Sequence, residues 1–559
     1  MDRARWPGDW CYTKAITVTR WARLDLYMKP DMMTASADSN IKLFGKQFLY
    51  VLLIGVAVRL YNSHFTFYIN SDGVLYINQA KMIFYGRLDL LPASGLPNLS
   101  NYPFLIAGAF AVLRDWLLAA KFISFLFGVL TLIPVYLLFN RFFNRSVSSL
   151  GMLIYALIPA LVSRSADVLR DPVYWFFLVS GIYLFSLCET KRARLYLLLS
   201  SLSFLLATWA RVEAFLFIGV TALFILFSGS RRLDKLFFFT LPVLGIAAVF
   251  ILGPLAFNQD FGFLSRISDF GTRLAMPLQN YMALGNDIEN LKNTVPPIHY
   301  QLREFLPKAG NFAWVIALCT FLNHFLEGFF YPFCLVLLLG LKGSWQKVTA
   351  DQFPAYLVLL TITGSLLLLG HIVTWWNFDA RFLALVIFPL FIFTGYGLEN
   401  CMVFFEKKLK HQKIGAYLVM FCLIMVAGLP KNLYFREMDK LVFKEVGTYV
   451  AEKEKKNSKY VSILSSGTIR QLNFYANYRK PELILPALDS LYVVAGQSCE
   501  AFYTHLIKSR TDYFLWEEKF WLSQPYSPTA CTHQQHLEEL KRWHHPDTEQ
   551  MILYKVKKQ

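Results

Sequence analysis

Two aspartates stand in short polar segments between apolar runs, where a carboxylate could move a proton. The first is Asp72, in Asn70-Ser71-Asp72-Gly73-Val74-Leu75-Tyr76. The second is Asp171, in Asp167-Val168-Leu169-Arg170-Asp171-Pro172. A carboxylate beside apolar walls can act as a general base or an electrostatic anchor, and ionisable groups near membrane depth mark functional sites. Each aspartate also has a plainer explanation. Aspartate is a preferred helix cap, worth about 1 kcal/mol, and Asp171 precedes a proline, as helix starts often do. Asp167 is the weaker candidate and reads as a partner for Arg164 or Arg170.

Arginine can grip a phosphate through two parallel hydrogen bonds. Arg381, in Trp375-Trp376-Asn377-Phe378-Asp379-Ala380-Arg381-Phe382, heads an apolar run and is the first choice for such a role. The competing reading is an arginine snorkelling from an aromatic belt. Arg170, Arg211 and Arg59 complete the phosphate-binding candidates, with Tyr76 in support and Glu213 as an ion-pair partner of Arg211. His64 and His371 read as helix-end residues. The chain has neither a CxxC or HExxH zinc pattern nor a P-loop. No cofactor is assigned, and dependence on a divalent metal stays open.

These residues are held between membrane spans. A spanning helix needs about 20 mostly apolar residues. About eleven such stretches occur, near 45–62, 116–139, 147–163, 172–188, 195–209, 212–228, 236–257, 312–340, 354–376, 382–403 and 414–430. The run 103–113 is too short to span and reads as an interfacial helix. With the N-terminus inside, the inner loops carry Arg141 and Arg145; Lys191, Arg192 and Arg194; Arg231, Arg232 and Lys235; Lys342 and Lys347; and Lys407, Lys408, Lys410 and Lys413. All five are basic, as the positive-inside rule requires. Asp72, Asp171 and Arg381 then share the outer side with two long loops, 63–115 and 258–311.

Composition agrees. Of 559 residues, 55% are hydrophobic and 17% charged, and 51 are phenylalanine; soluble proteins carry about a quarter charged residues. The net charge of +17 sits in short loops. It reads as topology and contact with anionic membrane lipids, not nucleic acid. Five of the eight cysteines (Cys188, Cys319, Cys334, Cys401 and Cys422) lie in or beside spans and read as packing residues. Cys499 and Cys531 lie in a polar C-terminal region and could pair if it faces an oxidising compartment. The expected division is 1–40, a cytoplasmic tail or overextended start; 41–430, the transmembrane part; and 431–559, an outer α/β domain. In the last, strands are expected at 460–464, 483–485, 491–494 and 513–516 and helices at 443–455 and 500–508.

The layout resembles the GT-C glycosyltransferases that use polyprenyl-phosphate sugars. The nearest branch is the group of dolichyl-phosphate-mannose-protein mannosyltransferases and aminoarabinose lipid A transferases. The resemblance covers residues 45–403 as architecture and rests on Asp72-Gly-Val-Leu-Tyr76, Val168-Leu-Arg-Asp-Pro172 and Arg381-Phe-Leu383. It implies that Asp72 is the catalytic carboxylate and Asp171 the second acidic position. The family often has Asp-Glu where this chain has Asp72-Gly73. The lysine of the aminoarabinose branch's Lys-Pro step is replaced by Tyr102 before Pro103, so another residue must hold the phosphate.

The expectation is therefore an α-helical polytopic membrane protein with a small C-terminal α/β domain outside. It would be an inverting glycosyltransferase of the cytoplasmic membrane. Its partners would be a polyprenyl-phosphate-linked sugar and an acceptor protein, lipid or glycan, with no nucleic acid. A transporter and a non-catalytic scaffold are the alternatives. The spans hold few midplane charges and no repeated halves, which counts against transport.

Overall fold

The computed structural model describes residues 45–96, 99–228, 231–257, 263–350, 352–376, 378–434, 437–456, 459–486, 498–522, 527, 536–546 and 549–557, without the side chains of 93, 250–274, 297 and 343–350. Gln47–Gln559 make one compact unit. The helices, in order, are α1 (Lys46–Phe65), α2 (Ser71–Phe84), α3 (Asn101–Leu113), α4 (Trp116–Leu130), α5 (Leu132–Phe142), α6 (Arg145–Leu157), α7 (Pro159–Ala166), α8 (Asp171–Phe185), α9 (Ala193–Ala210), α10 (Phe215–Phe227) and α11 (Arg232–Phe257). There follow α12 (Phe263–Thr294), α13 (Tyr300–Asn311), α14 (Ala313–Phe329), α15 (Tyr331–Ala350), α16 (Gln352–Trp375), α17 (Ala384–Lys408), α18 (Lys413–Leu433), α19 (Leu441–Lys453), α20 (Ile469–Ala476), α21 (Cys499–Lys508) and α22 (Glu518–Trp521).

Among the described residues, six helical segments are long and apolar enough to cross a membrane, or eight if two bent pairs each count as one span. One bent pair is α6 with α7, which turn by 58° at Pro159. Proline removes a backbone donor, so it opens a helix more readily than it continues one. Three of the expected spans fall on shorter apolar helices: Asp171–Phe185, Val212–Phe227 and Tyr331–Lys342. The expected single span 312–340 is in fact two helices, α14 and α15. They part at Phe330, whose φ of 78° is outside the helical range. The apolar run 103–113 is helix α3, which ends where Arg114 turns left-handed.

Two interloop ion pairs, Arg194–Asp234 and Lys235–Glu189, gather the basic loops 189–194 and 231–235 at one end. α17 is buried along nearly its whole length from Ala384 to Leu398. It leads directly out of the segment that carries Arg381, so that segment is anchored in the core.

The C-terminal region folds as α/β. Its sheet has the order β1-β2-β4-β3, with β1 (Ile463–Leu464) parallel to β2 (Tyr513–Glu517) and β3 (Leu537–His545) and β4 (Glu549–Val556) antiparallel. The strands expected at 460–464 and 513–516 are present. Leu483–Leu485 is instead an extended strap, described below, and 491–494 lies outside the described residues. The β3–β4 hairpin was not expected, because β3 is a charged, mostly exposed edge without period-two alternation. Cys499 is disulfide-bonded, and Cys531 lies outside the described residues.

Candidate active site

α2 begins at the expected acidic motif, but Asp72 is not its cap. The Asn70 side chain caps the helix, its Oδ1 accepting from the Gly73 amide at 2.7 Å. Asp72 lies in the first turn, and its Oδ2 accepts from Arg381 Nη1 at 2.6 Å, across 309 positions of sequence. Both side chains keep partial solvent access, 31% for Asp72 and 25% for Arg381. Gly73 permits the close approach of the two acidic loops. A Cβ there would lie 2.9 Å from the Cβ of Val168 and 3.0 Å from Cγ1 of Ile69. An Asp-Glu sequence at this place would push the loops apart.

Arg381 sits in a short 3-10 turn, Ala380–Leu383, capped by Asp379, whose Oδ1 accepts the Arg381 amide at 3.0 Å. Asp379 also pairs with Arg164 at 2.9 Å and lies 3.4 Å from Arg381 Nε. The result is an alternating chain, Arg164–Asp379–Arg381–Asp72, in which one carboxylate aims the arginine that meets the other.

A second pair lies behind the first. Asp171, the first residue of α8, accepts from Arg211 Nη1 at 2.5 Å, and Glu213 accepts from Arg211 Nη2 at 3.2 Å. The Asp171 and Arg211 side chains are only 1% and 3% exposed. The Phe382 ring lies 4.5 Å from the Arg211 guanidinium and 5.6 Å from that of Arg381, so one ring faces both cations. In this conformation Asp171 and Arg211 cannot touch a ligand from solvent.

Arg170 lies 5.8 Å over the ring of Tyr76, and no carboxylate partner is recorded for it among the described residues. Tyr76 is buried edge-on to Tyr102. Burial pushes its phenol up to about 12, opposed by Arg170 and reinforced by Asp72, so the hydroxyl stays protonated at neutral pH.

Two expected roles are corrected. Asp167 pairs with neither Arg164 nor Arg170. Its Oδ1 accepts the Val168 amide at 2.7 Å, burial raises its pKa, and Arg164, in the last turn of α7, goes to Asp379 instead. Arg59 is fully buried inside the helix bundle, donating to the carbonyls of Gly55 and Ala156 and lying over Tyr155. It is a packing residue in this conformation, because its position on α1 points it inward one turn before the polar end.

The C-terminal region closes over α2 along its length. Arg470 Nη1 lies 3.1 Å from the hydroxyl of Ser71, the neighbour of Asp72. The Tyr475 hydroxyl accepts the Ile69 amide at 2.9 Å. Asn78 exchanges two hydrogen bonds of 2.8 Å with the backbone of Leu485, and Lys81 donates to the Leu483 carbonyl at 3.0 Å.

Residues 101–256 match the family of dolichyl-phosphate-mannose-protein mannosyltransferases. The fold matches the crystal structure of the oligosaccharyltransferase of Archaeoglobus fulgidus, solved with zinc and sulfate, at 13% identity and TM-score 0.53, over 91% of this chain and 73% of that one. It also matches ArnT of Cupriavidus metallidurans in the apo state, at 10% identity and TM-score 0.51, over 90% of this chain and 97% of that one. Nothing matches among curated protein sequences. The chain therefore has a GT-C-like fold, and part of it matches a family of glycosyltransferases. The resemblance read from its sequence motifs therefore holds.

The structure unites Asp72, Arg381, Arg170 and Tyr76 at one end of the bundle, with Asp171, Arg211 and Glu213 packed behind them. Sequence reasoning missed Arg470, and it missed the roles of Asp379 and Arg164. Arg470 has a faint mark in Ser465-Ser466-Gly467-Thr468, a helix-start run just before it. Asp379 stood in the quoted Arg381 motif, but its two arginine partners could not be read from spacing. Among the described residues, no group of three or more His, Cys, Asp or Glu side chains is placed to hold a metal ion.

Proposed function

We propose that this protein moves one sugar, with inversion, from a polyprenyl-phosphate donor to an acceptor at the outer face of the cytoplasmic membrane. The observation that carries the reading is the contact between Asp72 and Arg381, a base and a phosphate-sized cation held together at one end of a GT-C bundle. A related archaeal fold, AglB of Archaeoglobus fulgidus, has been solved in complex with a dolichol-phosphate, at TM-score 0.52 and 12% identity.

The donor's tail lies along the spans and its phosphate reaches Arg381. Arg170 and Arg470, which have no recorded carboxylate partner among the described residues, supply further donors to the departing phosphate. Asp72 takes the proton of the acceptor nucleophile as it attacks the anomeric carbon, and the bond from that carbon to the phosphate oxygen breaks on the opposite side. Asp171 acts through Arg211, fixing the floor under Phe382 and Arg381. The basic loops face the cytoplasm, in keeping with the positive-inside pattern.

The test is mass spectrometry of membrane lipids from cells carrying the wild type or Asp72→Asn. The asparagine variant should accumulate a polyprenyl-phosphate sugar whose mass identifies the sugar class. An unchanged lipid pool, with the variant protein present in the membrane and no related enzyme in the cell, refutes the donor class or the base.

A further inference from the structure

A cavity of about 200 Å³ lies at the far end of α2, where the C-terminal strap crosses the start of α4. It is lined by Lys81, Arg114, Asp115, Phe474, Tyr478 and Leu485, among others, and none of Asp72, Asp171 or Arg381 reaches it. Its charges are out of balance. Lys81 is more than nine-tenths buried, and its one recorded hydrogen bond goes to the Leu483 carbonyl. An ammonium has three donors, and no carboxylate partner is recorded for Lys81 among the described residues. Burial pushes it down to about 8. The nearby carboxylate, Asp115, is already engaged by the Leu118 amide and the Tyr478 hydroxyl. Arg114, held in a left-handed turn at φ 57°, adds a second cation without a recorded carboxylate partner. A buried ammonium without a counter-ion is costly, and a bound anion removes that cost.

The position indicates which anion. Arg114 and Asp115 join the apolar helix α3 to the span Trp116–Phe142, and Val112 and Leu118 on either side are exposed apolar residues. A junction of this kind lies at the level of lipid head groups. We propose that this cavity is a phosphate-binding site, separate from the Asp72 centre, in which Lys81 and Arg114 hold the phosphate of an anionic lipid head group or a free phosphate. Its occupant ties the far end of α2 to the C-terminal strap, because Lys81 and Leu485 both border it.

The site is tested on the purified full-length protein in detergent. Native mass spectrometry would follow retention of phosphatidylglycerol against phosphatidylcholine, and calorimetry would follow inorganic phosphate. Lys81→Met keeps the volume and removes the charge, while Arg114→Gln removes the charge of an exposed residue. The wild type should retain phosphatidylglycerol over phosphatidylcholine, and each variant should weaken that binding by about tenfold or more, the loss of one charge-assisted contact. Charge-dependent binding of inorganic phosphate, with no preference between the lipids, assigns the site to a soluble phosphate. Equal binding by all three proteins, or no binding of either anion by the wild type, overturns the proposal.

Discussion

The two aspartates should fail in different ways, and the difference follows from their surroundings. Asp72 and Arg381 are each about a quarter to a third exposed, and pairs of this kind contribute about 0–1 kcal/mol. Asp72→Asn also leaves the Asn70 cap untouched, so the fold should hold. Turnover should fall by about 10²-fold or more, the usual worth of a positioned base. Asp171 and Arg211 are almost wholly buried. Removing one partner of such a pair costs about 3–5 kcal/mol, because the other charge is stranded. In Asp171→Asn the arginine keeps Glu213 at 3.2 Å, so the loss should fall near about 3 kcal/mol. In Arg211→Met two carboxylates face each other without a cation, and the loss should reach about 5 kcal/mol. The double variant Asp171→Asn/Arg211→Met should be more stable than Arg211→Met alone, since one stranded carboxylate is gone. Heat-ramped size-exclusion chromatography in detergent ranks the four proteins, and a transfer assay reads activity beside it. If Asp171→Asn matches the wild type in thermal stability yet loses all transfer, Asp171 performs chemistry and the division of roles is wrong.

Three further outcomes are expected. Arg470→Gln should raise the donor KM by about tenfold with little change in kcat, the loss of one charge-assisted contact to phosphate; an unchanged KM would remove Arg470 from the site. Asn78→Ala strands the Leu485 amide and carbonyl and should cost about 2–3 kcal/mol of stability, with lower kcat as α2 loosens; a silent substitution would mean that the strap does not hold α2. Lys81→Met should stabilise the lipid-free protein at pH 7. The ammonium sits near pKa 8 when folded, against an ordinary 10.5, so its cost is fully present below pH 8 and fades as pH rises toward 10.5. The gain should be about 3 kcal/mol at most and should shrink over that window in a pH series of unfolding midpoints; a gain that does not vary with pH refutes the burial argument.

The architecture was largely legible because membrane spans announce themselves by length and apolarity, and the alternating charge of their loops sorts the two ends. That is why Asp72, Asp171 and Arg381 could be placed on one side. Their pairing was not legible. Nothing in the spacing says that Arg381 chooses Asp72 across 309 positions while Arg211 chooses Asp171. Capping rules named Asp72 as a possible cap, and the true cap, Asn70, stands two residues earlier in the same motif. Arg59 misled because a charge near the end of a span looks interfacial, whereas one helical turn decides whether it faces the bundle. The C-terminal region read as an appendage by composition, so its reach over α2 stayed hidden. Its strap, Leu483–Leu485, has strand-like residues but spends its backbone hydrogen bonds on Asn78 and Lys81.

On the proposed function, the contact between Asp72 and Arg381 also bears on how the site waits for a donor. In the donor-free conformation Arg381 occupies the Asp72 carboxylate at 2.6 Å. The same arginine is the cation best placed for the phosphate. A partly exposed pair is worth no more than about 1 kcal/mol, whereas a phosphate offers Arg381 two charge-assisted hydrogen bonds at once. The exchange of partners is therefore downhill once donor arrives. Asp379 keeps its hold on the Arg381 backbone amide, so the arginine need only swing at its tip. Asp72 then loses its cation at the moment an acceptor proton needs a destination. On this argument donor binding precedes productive acceptor binding. Arg381→Lys, which keeps the charge but not the paired geometry, should lower kcat with donor bound and leave the donor-free protein as stable as the wild type.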